Sequence, residues 1–283
     1  MLRKALVLAA VLGGLVAAAQ PAIAATSALE PKDVHWSFEG PFGRFDQEQL
    51  QRGYKVYHDV CSSCHAMKLM SYRNLGQEGG PFYDPKYPNP NDNPYVKTLV
   101  KDFQVADTDT DTGDAIKRPA TAADHFVSPF ANEYAARASN GGALPPDLSL
   151  MIKARENGPR YVYSILTGYV PPPAGMKVPP GKYYNPYMPG DMGAFWSGDP
   201  HHVPVGGFIA MPLQLTPDRV TYDDGVKATP AQEAKDVVAF LAWAAEPHAD
   251  ERKKSGFAVM IYLLIFAGLL YVSYRKLWKN IEH

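Results

Sequence analysis

Residues 256–274 read GFAVMIYLLIFAGLLYVSY, nineteen positions without a charge, and this run decides how the rest of the chain must be arranged. A helix of about that length crosses a hydrocarbon core, because each residue adds about 1.5 Å of rise. A helix buried inside a protein would keep a polar stripe, and none is present here. Arg252, Lys253 and Lys254 precede the run, while Arg275, Lys276 and Lys279 follow it. The basic residues are balanced, so the positive-inside bias is silent on orientation. The pattern predicts one transmembrane helix over 256–274, with all that precedes it folding in water on one side.

The other end of the chain supplies the direction. Arg3 and Lys4 stand before an apolar run from Ala5 to Ala19. Gln20-Pro21 breaks that run, and Ala22-Ile23-Ala24 places small residues before a cleavage point. This order is that of a secretory signal peptide over 1–24, cut after Ala24. An exported front and a single span make 25–250 a periplasmic domain and 275–283 a cytoplasmic tail. Residues 25–250 hold 20 Lys and Arg against 27 Asp and Glu, a net charge of −7, although the whole chain carries only −1. With 46% apolar residues, 26 Pro, 23 Gly and 17 Tyr, the domain is expected to be compact and loop-rich.

Asp46 can cap a helix on which Leu50, Tyr54, Tyr57 and Cys61 recur at helical spacing. Residues 79–94 are dense in Pro, Asn and Gly and read as loop. Residues 130–139 and 148–168 read as helices, the second closing at Gly168. Residues 171–212 show no periodicity and are too long for an ordinary connection. Their aromatics (Tyr183, Tyr184, Tyr187, Phe195, Trp196, Phe208) favour a segment wrapped over something. A last soluble helix opens at Thr229-Pro230 and ends at Glu246-Pro247.

Cys61 and Cys64 are the only cysteines in the chain, and His65 follows directly. A disulfide across so short a loop would restrain little of the unfolded chain. A thioredoxin-like pair lacks its βαβ setting, and zinc would need two further ligands nearby. The sequence CSSCH suits a fourth chemistry: two thiols add across the vinyl groups of a haem, and the next imidazole ligates the iron. What the haem then does depends on the opposite iron face. His201, His202, Met176, Met188, Met192 and Met211 are all candidates for it. Met211 is modestly favoured, because Gly206-Gly207 lets backbone approach the ring and Pro212 stiffens the turn.

With those residues in place the chain resembles the cytochrome c1 family, the haem c subunits of cytochrome bc1 complexes. The likeness covers FGRFDQEQLQRGYKVYHDVCSSCHAMKLMSYRNL at 42–75, GALPPDLSLMIKARENGPRYVYSILTGY at 142–169 and YYNPYMPG at 183–190. It extends through IAMP at 209–212 and VTYDDGVKATPAQEAKDVVAFLAWAAEPHADERKKSGF at 220–257. The resemblance implies a mostly α, class I c-type cytochrome-like domain with long haem-wrapping loops and one C-terminal transmembrane helix. It implies one covalent haem c on Cys61 and Cys64, with His65 and Met211 as axial ligands. Leu144 and Pro145 match a segment packed on the haem, Arg155 an arginine near a propionate, and Tyr161 an aromatic beside the ring. Physical reasoning by itself does not separate Arg155 from Arg137 or Arg73.

The function implied is electron transfer rather than catalysis by the chain alone, with electrons entering from a Rieske iron–sulfur protein and leaving to cytochrome c. Cytochrome b and the lipid bilayer are the other implied partners; nucleic acid is not one. The place implied is a bacterial inner membrane. The chain departs from the family pattern in carrying Leu213 after Pro212 and in a lengthened stretch at 191–208. Residues 102–114 are acidic and read as solvated loop. Asp107, Asp109 and Asp111 hint at a calcium loop, but Thr112 and Arg118 stand where glycine and glutamate are needed.

Overall fold

Asp46 opens the first helix: its carboxylate accepts the Gln49 N–H at 2.9 Å, satisfying one of the free donors at a helix start. In the computed structural model, which describes residues 28–280, α1 spans Gln47–Val56. The signal peptide expected over 1–24 lies outside the described residues. Leu50 and Tyr54 on this helix, and Tyr57 just past its end, are all buried. From Tyr57 to Cys61 the helix widens into a π-turn. There the Ser62 N–H reaches back five residues to the Tyr57 carbonyl at 2.8 Å.

The expected last soluble helix forms as α5, Pro230–Ala245, with Thr229 accepting the Gln232 N–H at 3.2 Å. It crosses α1 at Gly53. A Cβ there would overlap the Asp236 carbonyl and stand 2.6 Å from the Phe240 Cβ, so glycine alone permits this approach. Beside the crossing, buried Asp236 accepts from Gln49 Nε2 at 3.1 Å, Gln232 Nε2 at 2.8 Å and Arg52 Nε at 3.0 Å. A buried carboxylate so partnered is satisfied rather than stranded. Tyr54 and Tyr57 lie 5.7 and 5.8 Å from Phe240, ring to ring, and build the core between the two helices.

The helix expected over 148–168 is shorter, α4 at Gly158–Thr167. Residues 148–154 make turns, with the Ala154 and Lys153 N–H groups both returning to Leu150. Asn157 sits at φ 54, in the left-handed region, and Pro159 follows it by two. Proline cannot donate within a helix and disfavours helical backbone just before it, so the helix starts there. Helix α4 packs against α5.

Two elements lie where sequence periodicity is weak. A short helix, α2 at Pro94–Val100, follows the 79–94 loop. The buried Asn93 holds it, accepting the Tyr95 N–H at 3.0 Å while donating to the Phe82 carbonyl at 2.6 Å. The acidic stretch expected as loop is an antiparallel hairpin, β1 Gln104–Thr108 with β2 Ala115–Pro119. Its strands are mostly solvent-exposed, so no apolar alternation marks them in sequence. The expected 130–139 helix appears as α3, Glu133–Ser139, capped by Asn132.

Residues 171–212 are ordered around a second small ribbon, β3 Tyr183–Asn185 paired antiparallel with β4 Gly207–Ile209. The lengthened part, 191–208, is mostly the excursion between these strands. The chain ends in α6, Ala249–Trp278, which begins seven residues before the uncharged run. Mean hydropathy in its most apolar window is 2.2, and none of that window is buried. Among the described residues it is the one helix long and apolar enough to cross a membrane. The described residues are thus mostly helical, with two two-stranded ribbons.

Candidate haem site

The π-turn delivers Cys61 to the surface of the core, and the next four residues close on it. The Cys64 and His65 N–H groups both return to the Cys61 carbonyl, at 3.2 and 2.9 Å. One turn therefore presents two thiols and an imidazole together. Neither cysteine is in a disulfide. Burial pushes the Cys61 thiol up to about 12, so it is held protonated rather than as a reactive thiolate.

His65 Nδ1 lies 2.7 Å from the Pro146 carbonyl oxygen. A carbonyl only accepts, so Nδ1 carries the proton and Nε2 keeps its lone pair. Burial lowers the pKa of His65, outweighing Pro146 and Asp147, which act the other way. The ring is thus held neutral, the form that ligates metals. Further bonds stitch the two segments in register. Leu148 N–H donates to Ala66 O at 2.9 Å, Lys68 N–H to the Asp147 carboxylate at 2.9 Å, and Leu69 N–H to Ser149 Oγ at 3.1 Å. Leu144 and Pro145, both half-buried, immediately precede this seam.

A second group gathers Arg155, Tyr161 and Met188. The Tyr161 hydroxyl donates to Met188 Sδ at 3.7 Å. Burial raises the Tyr161 pKa, and the neighbouring Arg155 guanidinium opposes it. Arg155 is exposed, with Nη1 on the Ala154 carbonyl at 2.9 Å. Arg137 instead serves its own helix end, donating to Gly142 O at 3.2 Å.

Met211 stands two residues beyond β4, half-buried. Its carbonyl accepts from the Tyr169 hydroxyl at 2.8 Å. Gly206, at φ +116, lies so close to β3 that a Cβ would be 2.6 Å from Pro186 Cα. Of the other candidates for the opposite face, Met188 and His202 have side chains with partners of their own. Met192 is buried, Met188 carries the Tyr161 hydroxyl, and Met176 forms a backbone bridge with Trp196. His202 pairs with Asp199 at 2.7 Å with its side chain 81% exposed, and the His201 N–H is held by the same carboxylate. Among the described residues nothing hydrogen-bonds the Met211 sulfur.

Sequence reasoning passed over the strap that leads into this region. Leu29 N–H donates to Pro186 O at 2.8 Å. Lys32 binds α4 through Ser164 Oγ at 2.7 Å and through Thr167 O at 3.0 Å. An irregular segment held by its own backbone and one lysine leaves no periodic trace. Among the described residues no three His, Cys, Asp or Glu side chains converge on a metal-sized site, so the cysteine pair lacks the further ligands a protein-only zinc site needs.

The family whose model matches this chain is described as the Cytochrome C1 family, over residues 36–281. The chain belongs to the cytochrome c1 family. It is 42% identical over 264 residues to the cytochrome c1 of Rhodospirillum rubrum, covering 88% of this chain and 87% of that protein. It is 44% identical over 255 residues to the mitochondrial heme protein cytochrome c1 1 of Arabidopsis thaliana, covering 90% and 74%. To the cytochrome b/c1 of Bradyrhizobium diazoefficiens it is 43% identical over 270 residues. That match takes in 89% of this chain but 36% of the longer protein. Membership in the cytochrome c1 family implies a c-type haem, and Cys61, Cys64 and His65 fit one. Two unpaired thiols and a neutral imidazole of settled tautomer stand in one turn.

Proposed function

We propose that this chain is a membrane-anchored monohaem cytochrome that takes electrons from a Rieske iron–sulfur protein and passes them to cytochrome c within a bc1 complex. Cys61 and Cys64 would hold the haem by thioether bonds, His65 Nε2 and Met211 Sδ would ligate its iron, and Arg155 would pair with a propionate. Tyr161, Leu144 and Pro145 line the ring. The bound haem supplies one-electron chemistry at iron. The side chains supply position and environment: Pro146 holds the imidazole tautomer, the 66–69 and 147–149 seam fixes the turn, and burial keeps His65 neutral. No side chain is required to move a proton or transfer a group.

The observation that carries this reading is the His65 to Pro146 hydrogen bond beside two free thiols. It prepares a neutral ligand and commits nothing else to the site. The partner assignment draws on the relative named cytochrome b/c1, and an acidic body at −7 suits a basic acceptor. Helix α6 anchors the domain, which follows a cleaved signal peptide over 1–24. The haem domain over 25–250 faces the periplasm of a bacterial inner membrane, and the tail over 275–283 is cytoplasmic.

The test is a quinol-reduced minus oxidised difference spectrum on the protein purified gently from its native membranes. Co-purifying b-type haem, with the c haem reduced by quinol, is the expected result. A c-type spectrum alone that quinol leaves oxidised, with subunit loss excluded by native gel, would overturn the complex. Carbon monoxide binding to the ferrous haem would instead show an open iron face and overturn the Met211 assignment.

A further inference from the structure

Residues 36–45 form a loop that the haem site does not use. The Arg44 N–H closes it on the Ser37 carbonyl at 2.9 Å, and Glu39 N–H on Trp36 O at 3.2 Å. Trp36 itself is buried in the core. Gly40 takes φ +73, and a Cβ on Gly43 would overlap the Glu39 backbone. These bonds and glycines turn the loop tightly, and Phe42 stands exposed on it.

This loop is joined to α6 as firmly as to the domain. Lys253 Nζ donates to both Phe38 O at 2.6 Å and Gly43 O at 2.9 Å. Asp250 accepts the Phe45 N–H at 3.1 Å. One helical turn beyond Lys253, about 6 Å along the axis, Phe257 meets Phe42 edge-on with ring centroids 5.7 Å apart. Phe257 is the second residue of the uncharged run. Phe42 is nonetheless 76% exposed and Phe257 56% exposed. A rigid loop thus holds an aromatic ring in the open, level with the first residues of the apolar span. The Lys253 ammonium is satisfied by loop carbonyls.

We propose that the Pro41-Phe42 tip is a second membrane contact, seated in the interfacial layer of the bilayer beside the start of α6. The inference rests on the reading of α6 as a membrane anchor. Lipid is the occupant because the exposed ring continues the apolar surface of the span. Arg44, two residues after Phe42, and Lys254, three before Phe257, are both exposed and suit phosphate headgroups at that level. Aromatic side chains favour that layer. With two contacts and the Lys253 clamp, the haem domain is held at a set tilt to the membrane rather than swinging on a linker.

Nitroxide labels on full-length holoprotein, reconstituted in phosphatidylcholine–phosphatidylglycerol vesicles, test this. The native cysteines are consumed by haem, so Phe42→Cys, Leu264→Cys and Tyr134→Cys each place one label. Relaxation by oxygen reports membrane, and relaxation by a water-soluble nickel chelate reports solvent. Leu264 is expected to favour oxygen and Tyr134, 86% exposed on α3, the chelate. The oxygen-to-nickel ratio at Phe42 is expected to exceed that at Tyr134 several-fold. A Phe42 value equal to that of Tyr134, with Leu264 in lipid, overturns the proposal and leaves the anchor standing. A water-like Leu264 overturns both. Shielding of Phe42 from both reagents in the intact native complex would assign the tip to a protein neighbour and overturn the lipid contact. Should F42C fail to load haem, P41C reads the same tip.

Discussion

The proton on His65 sits on Nδ1 because the Pro146 carbonyl, 2.7 Å away, can only accept. Under the proposed function, Met211 is the residue to probe as the second iron ligand. Met211→His is expected to keep a six-coordinate haem while lowering its midpoint potential, because a thioether favours ferrous iron and a second imidazole does not. The change should be on the order of 0.1 V or more within the roughly 0.8 V range that axial ligands span, read by redox titration of the α-band. Asp124 offers a test by pH. It accepts both Arg118 Nη1 and Nη2, at 2.7 and 2.9 Å, and two donors from Thr121. The Arg118 bonds hold its carboxyl well below the usual carboxylate range. A carboxyl lowered by folding adds stability that is fully present above its unfolded value, about 4, and is lost as pH falls toward the folded one. Asp124→Asn is therefore expected to cost about 0.5–1 kcal/mol at neutral pH, solvent screening this surface pair. The gap in melting temperature to the parent should close on acidification.

At the level of elements, the crossing of α1 and α5 is where a small change has the largest mechanical consequence. Gly53→Ala puts a methyl group against the Asp236 carbonyl and Phe240 Cβ, both fixed within a buried helix. Overpacking of this kind costs about 1–3 kcal/mol, and backbone on the receiving side places this case at the upper end. A lower melting temperature with an unchanged haem spectrum is the expected result, because the crossing lies two turns before Cys61. Elements with strong local signals were legible in sequence. Asp46 and Thr229 cap their helices, and apolar spacing carries α1 to Cys61. The 148–168 reading ran too long because Met151 and Ile152 continue an apolar pattern through turns. The backbone break at Asn157 is visible only in the structure. The β1–β2 hairpin left no alternation to read, since neither of its faces is buried.

For the whole molecule, the consequences are those of a charged body on an apolar stem. An acidic domain attracts a basic acceptor over roughly the Debye length, about 10 Å at 0.1 M salt. The second-order rate of electron delivery to a basic cytochrome c is accordingly expected to fall steeply as ionic strength rises, measured by stopped flow. A salt-independent rate would mean that the −7 is spread away from the docking face. The sequence by itself determined the parts whose chemistry is local: an uncharged run long enough to span, a helix leading into two thiols and an imidazole, and the family those residues belong to. Only the tertiary structure decided which carbonyl holds the imidazole, which methionine sulfur is already engaged, and that residues 36–45 grip α6. Those outcomes depend on bonds between residues 81 positions apart, as for His65 and Pro146, or 210 apart, as for Lys253 and Gly43. Periodicity reports what a residue's own helix or strand requires, whereas such distant contacts are set by how the finished elements pack.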